Sequence, residues 1–179
     1  MTGKISSRKV YDGRIISVDV DTVRFPDGSV GELEMVRHPG ASAVVPVLKG
    51  GRDPQVLLIK QYRYAANGFV YEIPAGRLDP GESPEKCAAR ELQEETGYTA
   101  KRLRQLTTIY TTPGFTDERI HLFIADGLSK GQSERERDEF LELFPVALSK
   151  AVGMIRSGQI VDGKTVIALL LTFLEHTRQ

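Results

Sequence analysis

Two nearly continuous apolar runs, residues 41–48 (ASAVVPVL) and 55–60 (QVLLIK), dominate the first half of the chain, separated by the turn-forming Lys49-Gly50-Gly51-Arg52-Asp53-Pro54. Runs without polar alternation suit strands covered on both faces, so the two are expected as neighbours inside one sheet. Ahead of them, residues 10–23 alternate loosely, Pro26-Asp27-Gly28 marks a turn, and residues 31–36 form a second run before His38-Pro39-Gly40 breaks the pattern. This stretch reads as a small antiparallel β appendage. Residues 69–73 form a short third buried strand, and residues 74–83 a loop rich in Gly and Pro. Ser83 can cap a helix that has Pro84 at its first position and Gly97 at its end, where a positive φ carries no penalty. Strands are expected at 101–110 and 118–126, a polar, charged stretch at 129–138, and a strand at 139–146. Helical patterns at 148–157 and 165–178 finish the chain, and there are no internal repeats. The pattern predicts an α/β sandwich around a mixed sheet.

Composition narrows the class. The 179 residues fit one domain with a small appendage, and 24 Lys+Arg balance 24 Asp+Glu. Zero formal charge argues against broad attraction to nucleic acid or an anionic membrane, so any ligand must be recognised by local charge. Cys87 is the single cysteine, so no internal disulfide forms. The longest nearly apolar stretch, 166–174, is about half a membrane span, and the N-terminus MTGKISSRKV carries no secretory h-region. A soluble, cytoplasmic protein is expected.

The predicted helix contains Arg90-Glu91-Leu92-Gln93-Glu94-Glu95, three carboxylates at i, i+3 and i+4. At about 100° per residue they fall within an arc of roughly 100°. Like charges at this spacing repel, and negative charge near a helix C-terminus opposes the macrodipole. Arg90 to Glu94 is one compensating i,i+4 pair, which leaves Glu91 and Glu95 uncancelled. Such a face is either simply solvated or a site for Mg²⁺ or Mn²⁺, hard cations that select clustered carboxylate oxygens.

The surrounding spacing is more specific. Gly76, five residues, Glu82, seven residues, then Arg90-Glu91-Leu92-Gln93-Glu94-Glu95-Thr96-Gly97-Tyr98 resembles the signature of the Nudix hydrolases, G-x5-E-x7-R-E-U-x-E-E-x-G-U, where U is bulky and aliphatic. Every fixed position is matched. Tyr98, at a packing position, is the single departure. The resemblance implies a Nudix fold, an α/β/α sandwich around a mixed sheet (41–179) with the β appendage (1–40) in front. It also implies divalent metal and cleavage of a pyrophosphate linked to another moiety. Glu91 and Glu95 are then metal ligands, Glu94 a ligand or a partner of metal-bound water, and the Ala75 carbonyl a further ligand. Gly76, Glu82, Arg90 and Gly97 are scaffold, with Arg90 satisfying a helix carboxylate.

More of the chain resembles the ADP-ribose pyrophosphatase subfamily: the appendage with Pro26-Asp27-Gly28, Gln61-Tyr62-Arg63, Ile73-Pro74-Ala75-Gly76, and Pro113 fifteen residues after the signature ends. This implies hydrolysis of ADP-ribose to AMP and ribose 5-phosphate by a homodimer whose appendages exchange. Arg63 and Arg77 would contact phosphates or ribose, for which guanidinium groups are suited. Glu34, Arg37 and Glu118 follow as base or ribose contacts, and Pro113 and Gly114 as further substrate-binding positions, although charged residues are often merely exposed. The general base would lie in the acidic stretch 131–140, at Glu139 or, second, at Glu136, with Glu94 as the remaining catalytic candidate. GDP-mannose or another nucleoside-diphosphate sugar is the alternative substrate. A non-catalytic nucleotide-binding module is a further alternative, although such a module would be expected to lose helix carboxylates.

Gly158-Gln159-Ile160-Val161-Asp162-Gly163-Lys164-Thr165 matches the phosphate-loop pattern G-x4-G-K-[ST]. A phosphate loop must follow a buried strand, yet a helix is expected before this one, so the match is read as chance. His38, His121 and His176 are scattered and suggest no zinc site, and Cys87 reads as a small buried thiol.

Overall fold

A computed structural model of the chain describes residues 2–131 and 141–177. Two compact units are present, one of residues 1–40 with 109–120, the other of residues 41–108 with 121–179.

In the first unit, β1 (Gly3–Asp12), β2 (Ser17–Arg24) and β3 (Val30–Arg37) form an antiparallel sheet in the order β1-β2-β3. The expected turn joins β2 to β3: Asp27 Oδ1 accepts from the Ser29 amide at 3.0 Å, and Gly28 sits at φ 87°. The β2–β3 ladder is unbroken from Ser17↔Arg37 to Arg24↔Val30, whereas β1 slips register between Lys4 and Ser6 and between Lys9 and Tyr11. Ile5 and Val10 are therefore extra residues in bulges, which is why no clean alternation marks this strand in the sequence.

In the second unit, β4 (Ala41–Lys49) and β5 (Gln55–Arg63) are antiparallel neighbours, as their apolar runs predict. Val44, Val45, Val56, Leu58 and Ile59 are fully buried, so consecutive residues, facing opposite sides, are both covered. The seven-stranded sheet runs β10-β5-β4-β9-β8, with β8 (Tyr98–Tyr110), β9 (Arg119–Lys130) and β10 (Leu141–Ala147). Two short strands join it: β6 (Gly68–Glu72) pairs with β5, and β7 (Ala75–Arg77) pairs with β4. The loop expected at 74–83 is thus partly a strand, because Ala75, Gly76 and Arg77 pair with Ala43, Ser42 and Ala41.

Helix α1 (Pro84–Thr96) begins at Ser83, whose side chain accepts from the Lys86 amide at 3.4 Å, and ends at Gly97 with φ 74°. It packs Ala88 and Leu92 into a cluster with Val44, Phe123 and Ala125, and Tyr98 packs against that cluster. Helices α2 (Leu148–Arg156) and α3 (Gly163–Thr177) pack on each other, and α3 also on β4 and β6. The α/β sandwich around a mixed sheet with an antiparallel β appendage is the observed architecture.

Candidate active site

The buried stripe of α1 comprises Cys87, Ala88, Glu91, Leu92, Glu95 and Thr96. Two of its six members are carboxylates: Glu91 is 8% exposed and Glu95 2%. A solvated acidic face would leave them in water, so that reading fails for these two. Charge held this far from solvent requires partners. The Ala75 amide donates to Glu95 Oε2 at 3.0 Å, so β7 and α1 are tied through the carboxylate itself. Glu91 lies against Gly76, where a Cβ would stand 1.8 Å from Glu91 Oε1. Glycine at 76 makes the space the carboxylate occupies.

Arg90 organises the remaining charge. Its Nε and Nη2 each donate at 3.0 Å to the two oxygens of Glu82, Nη1 donates to Glu91 at 2.6 Å and to Glu94 at 2.9 Å, and Nη2 also reaches the Arg77 carbonyl at 3.0 Å. Arg90 therefore compensates Glu91 as well as Glu94, more than the i,i+4 spacing alone implies. Glu82 Oε2 accepts from the Asp79 amide at 3.0 Å. The bonds from Arg90 hold the Glu82 carboxyl below its ordinary value of 4.5. The loop between β7 and α1 is thus pinned to the helix by one guanidinium. Cys87 lies beneath, its Sγ 3.5 Å from the carbonyls of Gly76 and Arg77, and burial pushes its thiol up to about 11. The thiol is a packing group and not a nucleophile.

Arg63, at the end of β5, grips Glu72 with two hydrogen bonds, Nε to Oε1 at 2.7 Å and Nη2 to Oε2 at 2.8 Å. Lys164 Nζ donates to the same Glu72 Oε2 at 2.6 Å and to Asp162 at 3.0 Å. Burial alone would raise the Glu72 pKa, but the two cations outweigh it and hold the carboxyl low. The phosphate-loop look-alike is explained: α2 precedes it, and its lysine is committed to a buried carboxylate. Glu72, Asp162 and Lys164 were not singled out as site residues by the sequence, although a lone Glu inside the apolar run 69–73 was a usable signal.

Other candidates lie in the first unit. Arg37 is bonded to Asp19 at 3.1 Å, to Asp117 at 3.2 Å and to Asp21. Glu118 accepts from Thr111 Oγ1 at 2.9 Å and lies 3.3 Å from His38 Nδ1, which accepts from the Gly40 amide. Pro113 and Gly114 are exposed in a turn where the Phe115 amide donates to the Thr112 carbonyl at 3.2 Å, and Glu34 is exposed on β3. Glu136 and Glu139 lie outside the described residues.

The NUDIX domain model matches residues 36–164, most of the chain. The protein belongs to the Nudix family. Residues 4–32 of this Nudix protein match a second model, the nucleoside diphosphate sugar hydrolase N-terminal domain. An ADP-ribose pyrophosphatase of Bacillus subtilis is 41% identical, over 98% of this chain and 94% of the relative. A methanol dehydrogenase activator of Bacillus methanolicus is 40% identical over 92% and 89%, and a GDP-mannose pyrophosphatase of Salmonella paratyphi B 38% over 79% and 80%. The crystal structure of an ADP compounds hydrolase superposes with a TM-score of 0.84 over 99% of this chain and 95% of that one, at 24% identity, and so shares the fold.

The donor set of the Nudix helix suits a hard divalent cation. The set expected from the sequence would be oxygen alone, the carboxylates of Glu91, Glu94 and Glu95 on α1 and the carbonyl of Ala75 on β7. Among the described residues no three His, Cys, Asp or Glu side chains converge into a closed cage. Magnesium does not need one, because it keeps several waters and takes one or two carboxylates together with substrate phosphates. Two carboxylates buried within one helix stripe, one of them beside a glycine that leaves it room, fit such an ion. No helix among the described residues is long and apolar enough to cross a membrane.

Proposed function

We propose that this Nudix protein hydrolyses the pyrophosphate of ADP-ribose, giving AMP and ribose 5-phosphate, with Mg²⁺ or Mn²⁺ held by Glu91, Glu95, Glu94 and the Ala75 carbonyl. The observation that carries the chemistry is the pair of buried carboxylates, Glu91 against Gly76 and Glu95 on the Ala75 amide. Similarity over 98% of the chain to an ADP-ribose pyrophosphatase supports the substrate. A bound divalent cation would neutralise the linked phosphates and lower the pKa of the attacking water.

The chain's own residues divide the remaining work. Arg90 and Glu82 hold the loop after β7 so that Ala75 and Gly76 stay on the carboxylates. Arg63 and Arg77 meet the phosphates or ribose, and Glu34, Arg37, Pro113, Gly114 and Glu118 belong to the base and ribose pocket. Glu139, with Glu136 as second choice, takes the proton from water. The appendage 1–40 is a dimerisation arm, consistent with a sheet that leaves Ile5, Val10, Tyr11 and Val30 at least half exposed. Exchange of these arms between two copies is part of this reading, as is a cytoplasmic location.

The test is incubation with Mg²⁺ and ADP-ribose, GDP-mannose, NADH, diadenosine polyphosphates or ATP, with products identified. AMP and ribose 5-phosphate as the preferred products support the reading. GMP and mannose 1-phosphate as the preferred products would replace it with the GDP-mannose alternative, and no turnover of any would favour a binding module. A solution mass twice the 19.8 kDa of one chain supports the dimer.

A further inference from the structure

Arg63 is held from behind by a chain of charges that the Nudix signature does not contain. Its guanidinium spends Nε and Nη2 on Glu72, while its second terminal nitrogen, Nη1, makes no hydrogen bond among the described residues. The side chain is 42% exposed, whereas that of Glu72 is 4% exposed. One end of the pair is anchored in the interior and the other is open to a ligand. The β5–β6 ladder puts Arg63, Gln61 and Ile59 on the face that also carries Glu72, since Glu72 stands opposite Ile59 and side chains alternate.

Behind Glu72 the chain continues. Lys164 Nζ shares Glu72 Oε2 with Arg63 Nη2 and is braced from its other side by Asp162. Asp162 is itself fixed, because its Oδ2 accepts from the Thr165 amide at 3.0 Å and from Thr165 Oγ1 at 2.6 Å at the start of α3. Thr165 Oγ1 accepts from the Ile73 amide at 2.9 Å, which pins the residue next to Glu72 to the same helix. Two acids and two bases balance, and the N-terminus of α3 fixes the whole set. A bidentate guanidinium bond requires both carboxylate oxygens to be ionised acceptors in one orientation. A buried carboxylate keeps its charge only with enough partners, and Lys164 is the second.

We infer that Lys164, with Asp162 behind it, is a positioning residue: it completes a clamp on Glu72 that holds Arg63 in one orientation toward the anionic substrate. The inference rests on the proposed pyrophosphatase reading for its substrate, not for the clamp. The sequence Gly163-Lys164-Thr165 thereby has a role unrelated to a phosphate loop: its lysine acts on the phosphate only through Glu72 and Arg63.

The experiment is a set of variants in the full-length protein, assayed for ADP-ribose with Mg²⁺. Lys164→Met is expected to raise KM about tenfold with kcat changed less than about twofold, the pattern of lost uniform binding. Lys164→Arg, which keeps the charge, is expected to restore most of the affinity, and Asp162→Asn, which keeps a capping side chain, to raise KM by a smaller factor. Arg63→Ala is expected to raise KM by itself, and adding Lys164→Met to it to cost nothing further. An unchanged KM in Lys164→Met, a loss confined to kcat, or full additivity with Arg63→Ala would overturn the inference. Should Lys164→Met fail to fold, Asp162→Asn and Lys164→Arg carry the same comparison. Nitrogen-15 NMR of the Arg63 Nε–H group separates the clamp from the substrate assignment. Wild type is expected to show a rigid group and Lys164→Met or Asp162→Asn a more mobile one, whichever substrate is turned over. Equal order in all of them defeats the clamp, whereas absence of ADP-ribose turnover with the NMR difference intact defeats only the substrate reading.

Discussion

A methyl group on Gly76 would stand 1.8 Å from Glu91 Oε1 and 2.0 Å from its Cδ, so the glycine and the carboxylate occupy complementary halves of one space. Gly76 is tied into β7 opposite Ser42, and Glu91 sits on the buried stripe of α1, so neither yields easily. Gly76→Ala is therefore expected to displace Glu91, to lower kcat on the order of 100-fold, and to destabilise the fold by roughly 1–3 kcal/mol as an overpacked site does. Urea denaturation and Mg²⁺-dependent turnover check this. Wild-type turnover in the variant would show that Glu91 does not need its present position.

The second prediction concerns Arg90, which one guanidinium fork joins to Glu82, Glu91, Glu94 and the Arg77 carbonyl. A lysine has one nitrogen and cannot span these positions. Arg90→Lys is expected to cost about 2 kcal/mol of stability, less than a fully buried pair because the arginine is 29% exposed, and to lower kcat as the loop loosens. Denaturant titration with m unchanged is the measure.

How much of this was legible beforehand follows from how local each signal is. The caps of α1, the Gly76-to-Gly97 spacing and the apolar runs of β4 and β5 are contained in short windows, and they appear where the pattern placed them. β1 begins at Gly3, earlier than alternation suggested, because Ile5 and Val10 bulge and every residue of the strand is exposed. The β7 pairing was hidden because Ala75, Gly76 and Arg77 form a strand only by meeting residues far back in the chain. The clamp behind Arg63 was hidden for the same reason: Glu72 is near in sequence, but Lys164, the second partner of Glu72, is 92 positions from it, and its local sequence pointed to a different motif. Arg37 shows the opposite case, since Asp19 and Asp21 lie on the strand paired with its own, and register alone would have disclosed them.

Acid sensitivity follows from the depressed carboxyls. Glu82 is held below 4.5 chiefly by Arg90. In Glu72 the partners outweigh burial and hold it below 4.5, and Asp21 is held below 3.8 with the Ser7 hydroxyl as the largest cause. A depressed folded pKa contributes stability that is fully present above the unfolded value and lost as pH falls through the folded one. Stability is therefore expected to be flat with respect to these groups from neutral pH down to about pH 5, and to fall progressively below it. Glu82→Gln, already lacking that ionisation, is expected to show a shallower loss between pH 5 and pH 3 in urea titrations, and an identical slope would contradict the Arg90–Glu82 assignment.

Cys87 gives a direct probe of the loop after β7. Its thiol is buried and raised to about 11, so reaction with a thiol reagent at pH 8 is expected only when the segment opens. Labelling should be slow in wild type and accelerate in Arg90→Lys, where the fork that ties Glu82 and the Arg77 carbonyl to the helix is gone. Equal labelling rates would mean that the loop stays closed without Arg90.

Removal of the metal supplies the last test. Glu95→Gln keeps an oxygen to accept the Ala75 amide while deleting a charge, so the fold should persist. Turnover should fall on the order of 100-fold, because the buried donor set loses an anionic oxygen. Chelation of wild type with EDTA should abolish turnover, and Mg²⁺ should restore it. A ligand that binds only the folded state raises the melting temperature by mass action. Mg²⁺ added with a non-hydrolysable ADP-ribose analogue should therefore raise Tm in wild type and do so much less in Glu95→Gln. A full Tm increase in that variant would place the cation elsewhere, and turnover that survives both EDTA and Glu95→Gln would remove the metal from the proposal altogether.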